Sequence, residues 1–186
     1  MRVLLTSAGL ETKEIQECFL DMAGKDMSLV KALFIPTAAI DAGAIAVLPK
    51  CINDLLKCGV LDKNIVVYDL HSGMEFENLQ QYDVVYLCGG NTHYLLERIN
   101  ATLFNKSLTK YINNNGLVIG VSAGSLIFSN NLANNLGLID TKLDVHCTTG
   151  EKKGKLAYPL KSNVRLTNTC ALVIRNLTDG LEIIGE

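Results

Sequence analysis

Short apolar runs alternate along the chain with stretches whose apolar residues recur every three or four positions. The recurring spacing predicts amphipathic helices, as at Ile15, Phe19 and Met22. The runs are apolar throughout, which is typical of strands in a parallel sheet covered on both faces. The pattern therefore predicts an α/β fold, a three-layer sandwich with a mainly parallel central sheet. The predicted strands cover residues 3–6, 32–36, 65–70, 83–88 and 117–121, and the predicted helices cover 12–23, 42–58 and the stretch from the caps Asn91 and Thr92 to Ile99.

The C-terminal part of the chain differs, because helical spacing fades after Gly137. Residues 164–175 and 181–186 are predicted strands joined by a turn over 176–180, which indicates an antiparallel C-terminal hairpin. In the helix over 42–58, Pro49 is expected to kink or divide the helix, since proline donates no backbone hydrogen bond. A chain of 186 residues, 48% of them hydrophobic, fills one core but hardly two, so we expect a single domain over residues 1–186.

Composition excludes several kinds of partner. The 17 basic and 19 acidic residues nearly balance and form no basic stripe, so we expect no nucleic-acid partner. No apolar run approaches the roughly 20 residues that span a bilayer, so we expect no membrane partner. The six cysteines are scattered without a C-x-x-C spacing, which favours free thiols in the cytoplasm over a zinc site or disulfide framework. The sequence leaves open whether the chain forms a homodimer.

Candidate chemistry begins with a serine between two glycines, in Gly120-Val121-Ser122-Ala123-Gly124. This G-x-S-x-G pattern follows a predicted strand and precedes an apolar segment that reads as a helix. In such a setting a sharp turn holds the serine hydroxyl above the sheet, and the next amide, that of Ala123, faces an oxyanion. The setting favours Ser122 as a nucleophile over the alternative, a tight turn with an incidental serine.

A serine nucleophile needs a base, and histidine is the usual one near neutral pH. Of the three histidines, His71 follows a predicted strand, and His93 in a first helical turn is typical of a capping or surface group. His146 lies downstream of the serine in a loop-like stretch, and we favour it. A second oxyanion amide is available at Gly90 after the fourth strand, although this turn also reads as a simple helix start, and both interpretations stay open.

Three segments, YLCGGNTHYLLERI, GLVIGVSAGSLIF and LGLIDTKLDVHC, resemble in order and rough spacing the landmark segments of the peptidase E (aspartyl dipeptidase) family of serine peptidases. The closing strands are also similar, so the resemblance covers nearly the whole chain. It implies a fold like the class I glutamine amidotransferases, of the flavodoxin-like kind, and cofactor-free, metal-free hydrolysis of short peptides. It implies Ser122 as nucleophile, His146 as general base, Gly90 and Ala123 as oxyanion amides, and Asn91 in the substrate-binding turn.

The acid of the expected triad is the weakest part of the resemblance. The family's histidine follows a proline and precedes an aromatic residue, whereas Val145 and Cys147 flank His146. The segment between serine and histidine, where the family carries its acid, reads SNNLANNLGLI and contains no carboxylate. Asp140 and Asp144 are the nearest candidates, and we favour Asp140. If neither reaches the imidazole, a Ser-His dyad or an impaired enzyme is expected.

Substrate preference stays open in the sequence. Specificity for an N-terminal aspartate would require a cation, and the segment after His146 offers Lys152, Lys153, Lys155 and Arg165. A solvated loop is the favoured interpretation of this stretch, so aspartyl specificity is not assigned. Three classes of function remain: a serine peptidase for short peptides, another elbow-serine hydrolase such as an esterase, and a non-catalytic binding protein on the same fold.

Overall fold

The computed structural model describes residues 1–178 and 180–185, and a sheet of eight strands runs through it. A further short pair of strands lies beside the main sheet. The strands in chain order are β1 (Arg2–Thr6), β2 (Ala32–Ile35), β3 (Ile65–Val67), β4 (Val84–Leu87), β5 (Leu117–Val121), β6 (Leu143–Asp144), β7 (Gly154–Leu156), β8 (Val164–Arg165), β9 (Cys170–Ile174) and β10 (Leu181–Gly185). The α-helices are α1 (Lys13–Ala23), α2 (Ala42–Lys57), α3 (Phe76–Leu79), α4 (Thr92–Ala101), α5 (Phe104–Asn113) and α6 (Ala123–Leu126).

The main sheet has the order β3-β2-β4-β5-β1-β9-β10-β7. Neighbouring strands from β3 to β1 are parallel, whereas β9, β10 and β7 add antiparallel pairs at the other side. The predicted C-terminal hairpin is confirmed as β9 paired with β10, although residues 179 and 186 of the predicted turn and strand lie outside the described part. The parallel strands are apolar along their length because both sheet faces are covered.

Helices cover both faces of the sheet and divide the core into two clusters. On one face α1 and α2 pack through Phe19, Met22 and Leu55 against alternate strand residues such as Phe34. On the other face α4 and α5 pack through residues such as Ile99 and Leu108 against the remaining strand positions. The predicted three-layer α/β fold with a mainly parallel sheet is therefore confirmed.

Several element boundaries differ from the sequence predictions. The helix containing Pro49 is not divided, since α2 runs unbroken from Asp41, whose side chain accepts from the Ala44 amide at 2.9 Å as an N-cap. The stretch 104–113, which the predictions left unassigned, is α5. The single strand predicted over 164–175 is two strands, β8 and β9, separated by residues 166–169. This interruption is where the chain turns toward the candidate site.

The predictions from composition concern the cysteines and the presence of membrane-spanning helices. All six cysteines belong to the described part and are free thiols, as predicted. Among the described residues, none of the helices combines the length and apolarity that crossing a bilayer would demand.

Candidate active site

The turn between β5 and α6 has the geometry of a nucleophile elbow. Ser122 has φ 49° and ψ −108°, a positive-φ conformation that non-glycine residues adopt at a cost of about 1–3 kcal/mol. The flanking glycines allow this turn, because a Cβ on Gly120 would lie 2.5 Å from the Gly124 carbonyl oxygen. A Cβ on Gly124 would overlap the carbonyl of Leu87 in β4. The strained serine is therefore held by backbone packing that only glycine permits.

Hydrogen bonds with the end of β1 hold the nucleophile elbow in place. The Ser122 amide donates to the Thr6 carbonyl at 2.9 Å, and the buried Ser125 hydroxyl donates to the same carbonyl at 2.8 Å. The Thr6 amide in turn donates to Ser125 Oγ at 3.0 Å. These bonds hold the first turn of α6 against the central strand, so the Ser122 side chain lies at the carboxyl edge of the sheet.

His146 contacts Ser122 directly. Its Nε2 lies 3.0 Å from Ser122 Oγ, and its Nδ1 lies 2.7 Å from Oδ1 of Asn168. An amide oxygen only accepts hydrogen bonds, so the second contact requires the proton on Nδ1. That tautomer leaves Nε2 as an acceptor for the serine hydroxyl. His146 can therefore take the hydroxyl proton of Ser122, which is what activation of a serine requires.

Ser7, at the end of β1, positions the segments that carry His146 and Asn168. Its buried hydroxyl donates to the Leu166 carbonyl at 3.0 Å and accepts from the His146 amide at 3.2 Å. His146 itself has φ 56°, so its backbone is held in a left-handed conformation. One buried hydroxyl therefore ties the histidine loop to the chain two residues before Asn168.

The expectation that Asp140 orients the histidine is corrected by these contacts. Asp140 is exposed, and Asp144 lies in β6, which pairs with β8 in the register Asp144 to Arg165. The pairing of β6 with β8 is followed by the 166–169 turn, which brings Asn168 to Nδ1 of His146. The position expected for an acid is therefore occupied by a neutral amide.

The other sequence candidates lie around Ser122 as follows. Ala123 opens α6, where the first backbone N–H groups have no partner within the helix. The turn after β4 packs on the serine, since a Cβ on Gly89 would lie 3.2 Å from Ser122 Cβ. Gly90 has φ 138°, and a Cβ there would overlap the Ala38 carbonyl, so this turn also requires glycine. Gly90 and Ser122 both line the same cavity.

Asn91 builds the turn after β4. Its amide donates to the Ala38 carbonyl at 2.7 Å, and its Oδ1 accepts from the Tyr94 amide at 2.9 Å as the N-cap of α4. Asn91 does not line the cavity beside Ser122. These contacts give it a structural role in holding Gly90, and they show no group that faces a substrate.

The two remaining histidines lie elsewhere. His71 Nε2 is 3.0 Å from an Asp69 carboxylate oxygen, and His93 is exposed in the first turn of α4. Among the hydrogen bonds of the described residues, the side chain of Ser122 is paired with His146 and with neither of these two histidines.

A cavity of about 290 Å³ opens beside Ser122 and His146. Strand ends β1, β4 and β5 form its floor, and one side of α2 forms its wall. Its lining residues are Ser7, Ala8, Glu11, Ala44, Val47, Leu48, Lys50, Cys51, Gly89, Gly90, Val121, Ser122 and His146. The cavity is where the sheet topology predicts a ligand, beyond the carboxyl ends of parallel strands.

The charged residues of this cavity are paired with one another. Lys50 Nζ donates to the Ala8 carbonyl at 3.0 Å and forms an ion pair with Glu11. Burial lowers the pKa of Lys50, whereas the Glu11 carboxylate and the nearby Asp54 carboxylate raise it by a larger amount. The pKa of Lys50 is therefore above its usual value. Lys50 therefore stays protonated and neutralises Glu11.

Sequence reasoning missed Asn168 and Ser7. Asn168 lies in Thr167-Asn168-Thr169, a cluster of turn-forming residues that was available as a signal of interruption inside the predicted strand. Ser7 directly follows a buried strand, at the edge where polar groups of this fold class converge.

Within residues 1–178 and 180–185, no three His, Cys, Asp or Glu side chains are grouped to bind a metal ion.

Sequence comparisons match parts of the chain to known peptidases. The model of Peptidase family S51 matches residues 3–143, most of the chain, and ends before His146. An uncharacterized peptidase of Listeria monocytogenes is 30% identical over 115 residues, which are 62% of this chain and 56% of that protein. The chain thus matches little more than half the length of this curated relative.

Two crystal structures share the fold. A protein of Listeria monocytogenes described as peptidase E superposes with a TM-score of 0.72 at 22% identity, covering 100% of this chain and 97% of that chain. A peptidase from an acI-B1 actinobacterium superposes with a TM-score of 0.65 at 15% identity, covering 100% of this chain and 87% of that chain. At these identities the likeness establishes the architecture.

Proposed function

The chain belongs to peptidase family S51, and from that premise we propose that it is a serine-type peptidase that hydrolyses short peptides. The observation that carries the proposal is the 3.0 Å contact between Ser122 Oγ and His146 Nε2 at a strained strand-to-helix turn. A serine beside a base, with the base oriented by a third group, is the arrangement that nucleophilic catalysis requires. The cavity next to it provides a place for the substrate.

The proposed reaction has two steps. His146 Nε2 takes the hydroxyl proton while Ser122 Oγ attacks the scissile carbonyl carbon, and the amides of Gly90 and Ala123 stabilise the oxyanion. His146 then gives the proton to the leaving amine as the peptide C–N bond breaks, leaving an acyl-serine. Water, deprotonated by His146, hydrolyses this ester and restores the hydroxyl. An amide aimed at the oxyanion is typically worth about 10²–10³ in rate.

Asn168 takes the orienting position in this proposal. Its Oδ1 holds the proton on His146 Nδ1, as the asparagine does in Cys-His-Asn proteases. Unlike a carboxylate, the amide contributes no charge to stabilise the imidazolium that forms during attack. We therefore assign Asn168 the role of a positioning residue, which fixes the tautomer and the ring plane.

Short peptides are favoured by the size of the cavity. Its volume of about 290 Å³ is at the low end of the roughly 300–1,000 Å³ of small-ligand sites. Such a space fits the residues that flank one peptide bond.

The proposal is tested with a fluorophosphonate probe and peptide hydrolysis on the same protein. Wild type should be labelled and should cleave a di- and tripeptide mixture, whereas Ser122→Ala should lose both activities. Ser162→Ala is the matched control, because Ser162 is exposed and its contact with Thr141 is made by its backbone carbonyl, which alanine retains. Labelling that persists in Ser122→Ala, or wild-type protein that cleaves esters but no peptide, would overturn the proposal.

A further inference from the structure

The wall of the cavity beside Ser122 is mainly apolar. Helix α2 contributes the side chains of Ala44, Val47, Leu48 and Cys51, and β5 contributes Val121. Val47 is 48% exposed, so its side chain forms part of an open apolar rim. A ligand side chain that binds there displaces water from this rim. Such a surface gains free energy by contact with another apolar group.

The charges of this cavity do not provide a free cation for an acidic group. Among the described residues that line it, Lys50 is the one lysine or arginine, and it already donates to Ala8 and Glu11. The basic residues after His146 are absent from the lining, and Lys153 is 2.8 Å from the carboxylate of Glu14. A carboxylate entering the cavity would therefore meet Glu11 beside a lysine whose charge is already compensated. Desolvating an uncompensated charge is costly.

We propose that this cavity binds an uncharged, apolar side chain on one side of the scissile bond, and that the enzyme discriminates there against aspartate and glutamate. The inference rests on the proposed peptidase function and deepens it by naming the substrate class. Contact of a leucine-sized side chain with Val47, Leu48 and Val121 supplies binding energy, whereas an acidic side chain loses water without gaining a partner. Discrimination in kcat/KM of about 10²-fold is expected from differences of this kind.

The test compares the dipeptides Leu-Leu, Asp-Leu and Leu-Asp as substrates of wild type. We expect kcat/KM for Leu-Leu to exceed that of at least one acidic dipeptide by about 10²-fold, and the position at which aspartate is rejected identifies the side that the cavity binds. In Val47→Lys, the new cation should reduce this preference at that position by about 2- to 5-fold, because it offers the carboxylate a partner at the exposed rim.

Ile45→Lys is the matched control for Val47→Lys. Ile45 is 51% exposed on the same helix but does not line the cavity, so its variant should keep the wild-type preference. If peptides are cleaved but both acidic dipeptides match Leu-Leu within about 3-fold, or if the two lysine variants behave alike, this inference alone is overturned. If no peptide is cleaved and Ser122 is not labelled by fluorophosphonate, the proposed function fails and takes the inference with it.

Discussion

At the scale of single residues, the candidate site depends on an imidazole that is held at both nitrogens. Nδ1 meets Asn168 Oδ1 at 2.7 Å, and Nε2 meets Ser122 Oγ at 3.0 Å. Removing the amide in Asn168→Ala should release the ring and the tautomer. We expect kcat to fall by about 10²-fold, the lower end of what a positioned base contributes, with KM nearly unchanged. Steady-state kinetics on a dipeptide substrate measures both values.

A conservative change separates positioning from general damage. Asn168→Asp keeps an acceptor for the Nδ1 proton and adds a negative charge that stabilises the imidazolium, so kcat should stay at or above the wild-type value. Asn130→Ala serves as the control and should leave kcat unchanged. Asn130 is exposed, and its contact with the Thr141 carbonyl is made by its backbone N–H, which alanine retains. Equal losses of kcat in Asn168→Ala and Asn168→Asp would contradict a positioning role.

The same residues mark the limit of sequence reasoning about the site. Ser122 and His146 could be singled out because a local motif and a scarce residue type mark them, and the structure brings the two within hydrogen-bond distance. Asn168 could not be found in this way, because asparagine is common in turns and its role depends on a contact across 22 residues of sequence. Charge and proximity in sequence favour Asp140, but neither of them determines where a side chain lies.

At the scale of elements, the close packing of β4, β5 and α6 determines where Ser122 points. In Gly124→Ala the new methyl would overlap the Leu87 carbonyl and come within 2.8 Å of Leu87 Cβ, so β4 and α6 must separate. We expect a loss of stability of about 1–3 kcal/mol, the range for overpacking, together with loss of fluorophosphonate labelling. Thermal denaturation and probe labelling measure the two effects.

Gly43→Ala provides the comparison for Gly124→Ala. Its methyl would approach the Asp41 side chain to 3.2 Å in the first turn of α2, away from other backbone. Alanine favours helix over glycine by about 1 kcal/mol, which offsets the close approach to the capping oxygen of Asp41. This variant should therefore keep its melting temperature and its labelling. Full labelling of Gly124→Ala would show that the elbow tolerates separation from β4.

Elements differ in how well their sequences predict them. The parallel strands β1, β2, β4 and β5 were evident because burial on both faces leaves continuous apolar runs. The interruption between β8 and β9 has only the turn-forming run 167–169 as a local signal. The pairing that creates it depends on partners distant in sequence: β6 pairs with β8, whereas β1 and β10 pair with β9. An apolar run reports burial along the chain, and the choice of neighbouring strand depends on the whole fold.

At the scale of the whole molecule, one buried carboxylate links three parts of the structure below the cavity. Asp54 of α2 accepts from the Leu10 amide at 2.9 Å and from the Tyr86 hydroxyl of β4 at 3.2 Å. It therefore joins the loop after β1, the cavity-forming helix and the central sheet. Burial raises the pKa of Asp54 above its usual value of 3.8, although its hydrogen bonds and Lys50 act in the opposite direction.

The raised pKa makes a signed prediction for stability against pH. Between the unfolded pKa near 3.8 and the higher folded pKa, the folded protein binds more protons than the unfolded chain, so this carboxyl contributes less to stability as pH rises. Asp54→Asn keeps an acceptor for both donors and does not titrate. We therefore expect the free energy of unfolding of wild type minus that of Asp54→Asn to decrease from about pH 4 to about pH 7, as measured by urea denaturation.

The exposed Asp62 supplies the matched control, since Asp62→Asn also removes one carboxylate but lies on the surface before β3. If burial is the cause of the effect at Asp54, the decrease with pH for Asp54→Asn should exceed any change with pH for Asp62→Asn. Because Asp54 holds the loop that leads from Ser7 to α1, a difference that instead grows with pH would mean that its hydrogen bonds outweigh desolvation. The carboxylate would then stabilise the cavity in its charged form, and Asp54→Asn would loosen the loop beside Ser122 most at neutral pH.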